Sequence, residues 1–457
     1  MIKEIERAIE DIMKIAKGFG LDYYPMRFEI VPADIMYTIG AYGMPTRFSH
    51  WTFGKSFYRM KLQYDLNLSR IYELVINNNP SYAFLLEGNK LVQNKMIIAH
   101  VLAHVDFFKN NVYFRQTNRK MVETMALAAT RIRNYEIKYG KEKVEHFLDA
   151  VISIEEHIDP SIIKSQDTKK AKKSIEEEQE KRDKNKRKTV DKYTDLWEIG
   201  QTNLIKEEKL EKNHKFPLNK EKDILGFIEK HSKTLTDWQR DIITMLREEM
   251  YYFWPQIETK IMNEGWASFW HTKIMRELEL NDEEIVDFAK LNAQVLQPSR
   301  YSLNPYHLGV KIFSDIEKKY GREKIFEVRE LDNDISFIRN YLTKELVEEL
   351  DLYIYQKVGD DWIIVEKDWE VIRDQILSSR TNGGFPYIVI ENADYLRNGE
   401  LFLQHQYEGI ELDVRYIEKT LPHIYTLWNK TVHIETIIEQ KKVLFSYDGN
   451  KMNRKFI

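Results

Sequence analysis

Near residue 351 the apolar pattern of this chain changes period, and that change limits the folds open to it. Upstream, "NKMIIAHVLAHVDFFKNN", "RKMVETMALAATRIRNYEIKYG", "NDEEIVDFAKLNAQVL" and "HLGVKIFSDIEKKYG" repeat apolar side chains at helical spacing. "SRIYELVINN" reads the same way, and the stretch between 25 and 60, rich in turns and aromatics, reads as an ordered loop region. Pro255 is expected to kink or divide the long helical stretch that ends in "MNEGWASFWHTKIMREL". Downstream, "DLYIYQKV", "DWIIVEK", "FPYIVIENADY", "ELFLQHQYE", "KTVHIETI" and "KKVLFSYDG" are β-branched, aromatic and bounded by turns. Helical patterns at "EVIRDQILSS" and "VRYIEKTLPHIYTLW" give the order β-β-α-β-β-α-β-β. Helices first and strands afterwards predict an α+β chain. A large, mainly helical domain over 1–350 is followed by a small α+β domain over 351–457, with helices on an antiparallel sheet. The first domain is interrupted at about 165–215 by a charged insertion, "SQDTKKAKKSIEEEQEKRDKNKRKTVDKYTD".

Composition narrows the functions. Across 457 residues the formal net charge is −4, so no global charge draws the chain to nucleic acid or to an anionic membrane surface. The chain has no cysteine, which excludes disulfides, thiolate metal ligands and a cysteine nucleophile together. The opening "MIKEIERAIEDIMKIAKGFG" is amphipathic and charged, unlike a signal peptide. No apolar run approaches the roughly 20 residues of a transmembrane helix, so a soluble, cytoplasmic protein is expected.

The chemistry concentrates in two stretches. His100 and His104 stand at i, i+4 in "IIAHVLAHVDFF", the spacing with which one helix offers two imidazoles to one metal ion. Glu264 and His271 stand seven residues apart in "MNEGWASFWH", close to two turns, so they share a helix face. Two imidazoles and one carboxylate from a second helix leave a fourth position open on Zn²⁺, the pattern of a catalytic site. Asn263-Glu264-Gly265-Trp266-Ala267 resembles the third-ligand stretch of the zinc peptidases called gluzincins. Those enzymes place a glutamate base directly after the first histidine. Here that position is Val101, so a base must come from elsewhere: Glu87, Glu73 or Asp106. Asp106 is the weakest of the three, lying about 160° around the helix from His104. Glu87 is slightly preferred to Glu73. His271 is a fourth ligand, a proton donor, an oxyanion stabiliser or a supporting histidine. A di-iron centre using Glu248 and Glu249 fits less well, since no Glu-x-x-His faces the pair.

Other groups have ordinary explanations. Arg47, His50 and Lys55 could hold an anion or anchor a loop. Arg131, Arg133 and Glu136 read as a solvated helix face. Glu145, His146, Asp149, His157 and Asp159 form a second, poorer metal candidate. "RTNGGFP" lacks the helix and Lys-Ser/Thr of a phosphate loop.

Long stretches of the chain resemble the stage V sporulation protein R (SpoVR) family. They are "HVLAHVDFFKNN", "WQRDIITMLREEMYYFWPQIETKIMNEGWASFWH", "NPYHLG", "TNGGFPYIVIENADY" and "NGELFLQHQYEGIELDVRYIEKTL". One departure is Ala103, where the family form has glycine. The resemblance implies a protein of spore-forming bacteria needed for the cortex, a modified peptidoglycan layer. Relatives also occur in bacteria that do not sporulate, in company with a serine kinase. The resemblance carries no biochemical activity; the metal site is read from the residues alone. Together they lead to the expectation of a zinc-dependent amide or peptide hydrolase acting on a peptidoglycan precursor or peptide. Its Zn²⁺, or another divalent metal, is held by His100, His104 and Glu264, with His271 adjacent. Two competing expectations stay open. One is a regulatory or scaffold protein with a structural metal, docking a protein partner through its C-terminal domain. The other is a metal-free core of hydrogen-bonded histidines.

Overall fold

The computed structural model describes residues 2–65, 73–161, 215–298, 302–359 and 361–457. The expected charged insertion lies outside the described residues, apart from its last position. The chain divides into two compact units: Met1–Glu145 with Glu248–Phe385, and His146–Arg247 with Pro386–Ile457. Among the described residues, no helix is long and apolar enough to cross a membrane.

The first unit is built on α1 (Ile2–Gly18), a small sheet of β1 (Met26–Val31), β2 (Glu73–Ile76) and β3 (Ser81–Leu86), and α2 (Leu91–Asn110). The sheet order is β1-β3-β2, with β1 parallel and β2 antiparallel to β3. This sheet corrects the reading of "SRIYELVINN" as helix over Glu73–Ile76. Glu73–Ile76 is too short to show a period of its own, and pairing with β3 decides its state. The stretch read as an ordered loop region likewise contains β1 and two helices, Ala33–Tyr42 and Trp51–Asp65.

α3 (Asp237–Glu258) carries Pro255 in its last turn and stops three residues later; α4 (Lys260–Glu277) then restarts. The division expected at Pro255 therefore falls at Thr259. Asp334 caps the restart: its carboxylate oxygens accept the backbone N–H groups of Ile261 and Met262, both at 2.9 Å. α5 (Asp282–Val295) opens with an Asn281/Glu284 capping box, and α6 (Pro305–Tyr320) with Asn304 as cap and proline in the first turn. α7 (Arg322–Leu331) and α8 (Asp334–Tyr341) follow. The hairpin β4–β5 (Ile354–Val358, Asp361–Glu366) and α9 (Trp369–Arg380) end the unit.

α2 is the centre of this unit. Every residue from Ile97 to Phe108 is buried, so the helix is enclosed on all sides. A polar side chain on such a helix needs a partner. His100, His104 and Asp106 are the ones that matter below.

In the second unit β6 (Ile388–Tyr395), β7 (Glu400–His405), β8 (Val432–Ile438), β9 (Lys441–Tyr447) and β10 (Met452–Phe456) form one sheet, ordered β10-β9-β8-β7-β6. It differs from the expected all-antiparallel sheet in one place. β7 and β8 are parallel, because the helix between them, α10 (Val414–Trp428), crosses over and returns the chain in the same direction. β4 and β5 stay outside this sheet as a two-stranded ribbon, and β10, which the sequence reading left out, completes it.

Candidate metal centre

Three chain segments bring the candidate ligands together at α2. His100 and His104 are 3% and 5% exposed, and Glu264 arrives from α4. Glu73 arrives from the start of β2. The Nε2 atom of His100 lies 3.3 Å from Glu73 Oε1 and 3.7 Å from Glu264 Oε2; Nε2 of His104 lies 3.5 Å from Glu264 Oε2. Among the described residues, Glu73, His100 and His104 bring their ligand atoms within 4.8 Å of one another.

Hydrogen bonds on the far side of each ring fix which nitrogen faces the cluster. The Asn263 carbonyl oxygen, 2.9 Å from His104 Nδ1, can only accept, so His104 Nδ1–H donates. His104 Nε2 is then the lone-pair nitrogen. The same logic runs through two rings for His100. His271 Nε2–H donates to Asn292 Oδ1 of α5 at 2.9 Å, leaving His271 Nδ1 as an acceptor. His100 Nδ1–H donates to it at 2.8 Å, which leaves His100 Nε2 bare. Ligand histidines are commonly oriented in this way by groups behind them. Burial, helped by His100, pulls His271 down to about 3, so it stays neutral.

The donor set fits a divalent cation. Buried His100 Nε2 and Glu264 Oε2 have no hydrogen-bond partner, a costly state unless something else satisfies them. The spacing between the two imidazole Nε2 atoms and the two carboxylates, 3.3–3.7 Å, is long for hydrogen bonds. It matches the edge of a tetrahedron of N and O ligands, about 3.4 Å for ligand distances of roughly 2.1 Å. The charges agree. Burial opposes ionisation of Glu264, but positive charge on the Nε2 side of the His100 and His104 rings, from a proton or a cation, outweighs it and holds its carboxyl well below the usual range. Burial also disfavours charge on His104, yet Glu264 prevails and raises its proton affinity. The proton it attracts would sit where a cation would.

Tyr306, in the first turn of α6, closes one side. Its ring stacks on His100 with centroids 6.2 Å apart, and its phenol lies within electrostatic reach of Glu264 and Glu73. Burial and the two carboxylates push that phenol well above its ordinary value, so it remains a donor.

Comparison with known proteins identifies the chain at this point. The SpoVR-like family matches residues 1–385, and its C-terminal domain matches residues 386–439. The chain belongs to the SpoVR family. Membership implies a sporulation-related role. The two family segments meet at Phe385 and Pro386, where one compact unit gives way to the other. The chain is also 28% identical over 476 residues to the uncharacterized protein YcgB of Escherichia coli (strain K12), across 93% of this chain and 90% of that protein. No solved structure matches.

The structure sorts the other SpoVR side chains singled out above. Glu87 is exposed in the turn after β3, outside the cluster, whereas Glu73 is in it. His271 stands behind His100, with both ring nitrogens engaged. Asp106 is fully buried and accepts from Asp22 N at 2.7 Å and from the Trp266 indole at 2.9 Å, with Arg329 at 3.5 Å. It ties α2 to its neighbours. Glu249 is ion-paired with Arg47 at 2.7 Å and Glu248 is exposed, so neither joins the cluster. His50 bonds Thr52 at 2.7 Å, and Lys55, Arg131 and Arg133 are exposed. Among the described residues, the Glu145, His146, Asp149, His157 and Asp159 set forms no metal-sized group. "TNGG" is a turn with Asn382, Gly383 and Gly384 at positive φ.

Sequence reasoning missed Tyr306 and Asn292. A signal for Tyr306 was present in "NPYHLG": an Asn cap and a first-turn proline start a helix there. Nothing in the sequence aims that helix at His100.

Proposed function

We propose that this SpoVR protein is a metal-dependent amide or peptide hydrolase of the cytoplasm, acting on a peptidoglycan precursor or peptide during cortex formation. The observation that carries the reading is the buried, unpartnered pair His100 Nε2 and Glu264 Oε2, held at ligand spacing. His100, His104 and Glu264 would hold the cation, Zn²⁺ being the natural choice for this donor set. A cation there polarises a carbonyl and lowers the pKa of water.

The remaining work falls to side chains. With Val101 unable to act as a base, Glu73, 3.3 Å from His100 Nε2, is the carboxylate that accepts a proton from the attacking water. Its side chain is 27% exposed, against 4% for His100, so it lies toward solvent, where substrate enters. His271 and Asn263 hold the two imidazoles in the required tautomers. Exchanging Glu73 for glutamine tests the assignment. With a soluble peptidoglycan precursor as substrate, Glu73→Gln should retain metal and lose amide hydrolysis by at least ~100-fold, the usual worth of a positioned base. Loss of metal together with activity would make Glu73 a ligand instead.

One observation favours a second reading. Glu73 stands nearer to His100 than Glu264 does, 3.3 Å against 3.7 Å, so four protein donors could close the site. A closed site is structural. The protein would then be a regulator or scaffold, with the second unit docking a protein partner. A chelated protein that unfolds supports this reading; one that stays folded and inactive supports the hydrolase.

A further inference from the structure

We infer that the Tyr306 hydroxyl is the hydrogen-bond donor for a carbonyl or oxyanion oxygen bound in this site, an inference that rests on the metal-centre reading above. The first support is how rigidly the chain places this residue. The Asn304 side chain caps α6 by accepting from Tyr306 N at 3.0 Å and His307 N at 3.3 Å. Its amide donates to Val295 O and Gln297 O, both at 2.9 Å, tying the start of α6 to the end of α5. One turn on, Gly309 packs backbone to backbone with Gly265, the residue after Glu264. A Cβ on Gly265 would lie 2.4 Å from Gly309 Cα, so backbone meets backbone with no room for a side chain. That contact holds the first turn of α6 over Glu264.

The second support is the direction of access. The imidazoles are 4% and 7% exposed, while Glu73 and Glu264 keep 27% and 20%. Glu264 Oε2 itself is buried, so Glu73 marks the side from which solvent and ligand reach the cluster, and the Tyr306 ring stacks on His100 with centroids 6.2 Å apart. The third is supply. A phenol is protonated at neutral pH and has one proton to give. Once the charge of Glu264 is shared with a cation, that donor is available to an oxygen arriving beside it. The ligand class follows: a carbonyl compound that gains negative charge on oxygen, as an amide does when water adds.

The competing role for Tyr306 is to position Glu264 as a ligand, and one experiment separates the two. Full-length wild type and Tyr306→Phe are loaded with Co²⁺ and titrated with acetohydroxamate, a metal-binding oxyanion, while the visible spectrum is followed. The expected result is equal Co²⁺ content and a roughly 10- to 100-fold weaker acetohydroxamate affinity in Tyr306→Phe, the worth of one charge-assisted hydrogen bond. Unchanged acetohydroxamate affinity overturns the inference and leaves the metal centre standing. Loss of Co²⁺ from Tyr306→Phe also overturns it and makes Tyr306 a positioning residue for Glu264. A wild type that binds no Co²⁺ removes the metal centre and the inference together.

Discussion

Gly265→Ala should cost the first unit about 3 kcal/mol or more, at or above the upper end of ordinary overpacking. The new Cβ would stand 2.4 Å from Gly309 Cα and 2.5 Å from Gly309 C. Both are backbone atoms, so no rotamer change relieves the clash, and α4 and α6 must separate. Gly309→Ala meets the reciprocal obstacle, Ile261 O at 2.3 Å. A loss of that size lowers the melting temperature by roughly 6–12 °C. Separation also draws Tyr306 away from Glu264, so metal-loaded Gly265→Ala should bind acetohydroxamate more weakly even below its melting transition. A wild-type melting temperature would show that the two helices do not meet at their glycines.

Asp106→Ala is expected to do more damage, though it touches no ligand. The carboxylate serves Asp22 N, the Trp266 indole and Arg329 from a position with no solvent exposure. Removing it leaves a guanidinium and two N–H groups without their acceptor, a loss of about 3–5 kcal/mol. Chemical denaturation of wild type and variant measures it directly. The pH dependence has a definite sign. Burial, opposed by Arg329, pushes the Asp106 carboxyl from its ordinary 3.8 up to about 6. A carboxyl raised on folding contributes most when protonated, below pH 4, and that contribution is lost as pH rises through about 6. Relative to Asp106→Asn, which cannot ionise, wild type should therefore lose stability between pH 4 and pH 6. A difference that stays flat over that range would contradict the assignment.

These two residues also show which parts of the structure were legible beforehand. The period of apolar side chains revealed α2 and α4, and the i, i+4 and i, i+7 spacings put His100 with His104 and Glu264 with His271 on common faces. Those are local regularities, written within one or two helical turns. Register between distant segments is not local. β2 is four residues long and gains its state from β3, so Glu73 was named as a candidate base from a stretch read as a helix. Its arrival at His100 follows from the sheet, which no periodicity reveals. His271 was correctly placed on the face of Glu264, but its partner was decided by α5, through Asn292. Gly265 stood in the quoted stretch, but that it meets Gly309, and that Tyr306 comes with it, required the packing of α6. The one parallel pair in the second sheet has the same origin. Helix α10 could be read from its sequence, but the strand it returns to could not.

The central claim is that His100, His104 and Glu264 form a metal site, and metal content tests it most directly. Full-length protein is purified without chelator, loaded with Zn²⁺, dialysed and analysed by inductively coupled plasma mass spectrometry. Wild type is expected to retain a stoichiometric divalent cation. His104→Ala and Glu264→Ala are expected to lose it while circular dichroism shows them folded. A metal-free wild type, or unchanged metal in His104→Ala, would contradict the account and leave the cluster as hydrogen-bonded core.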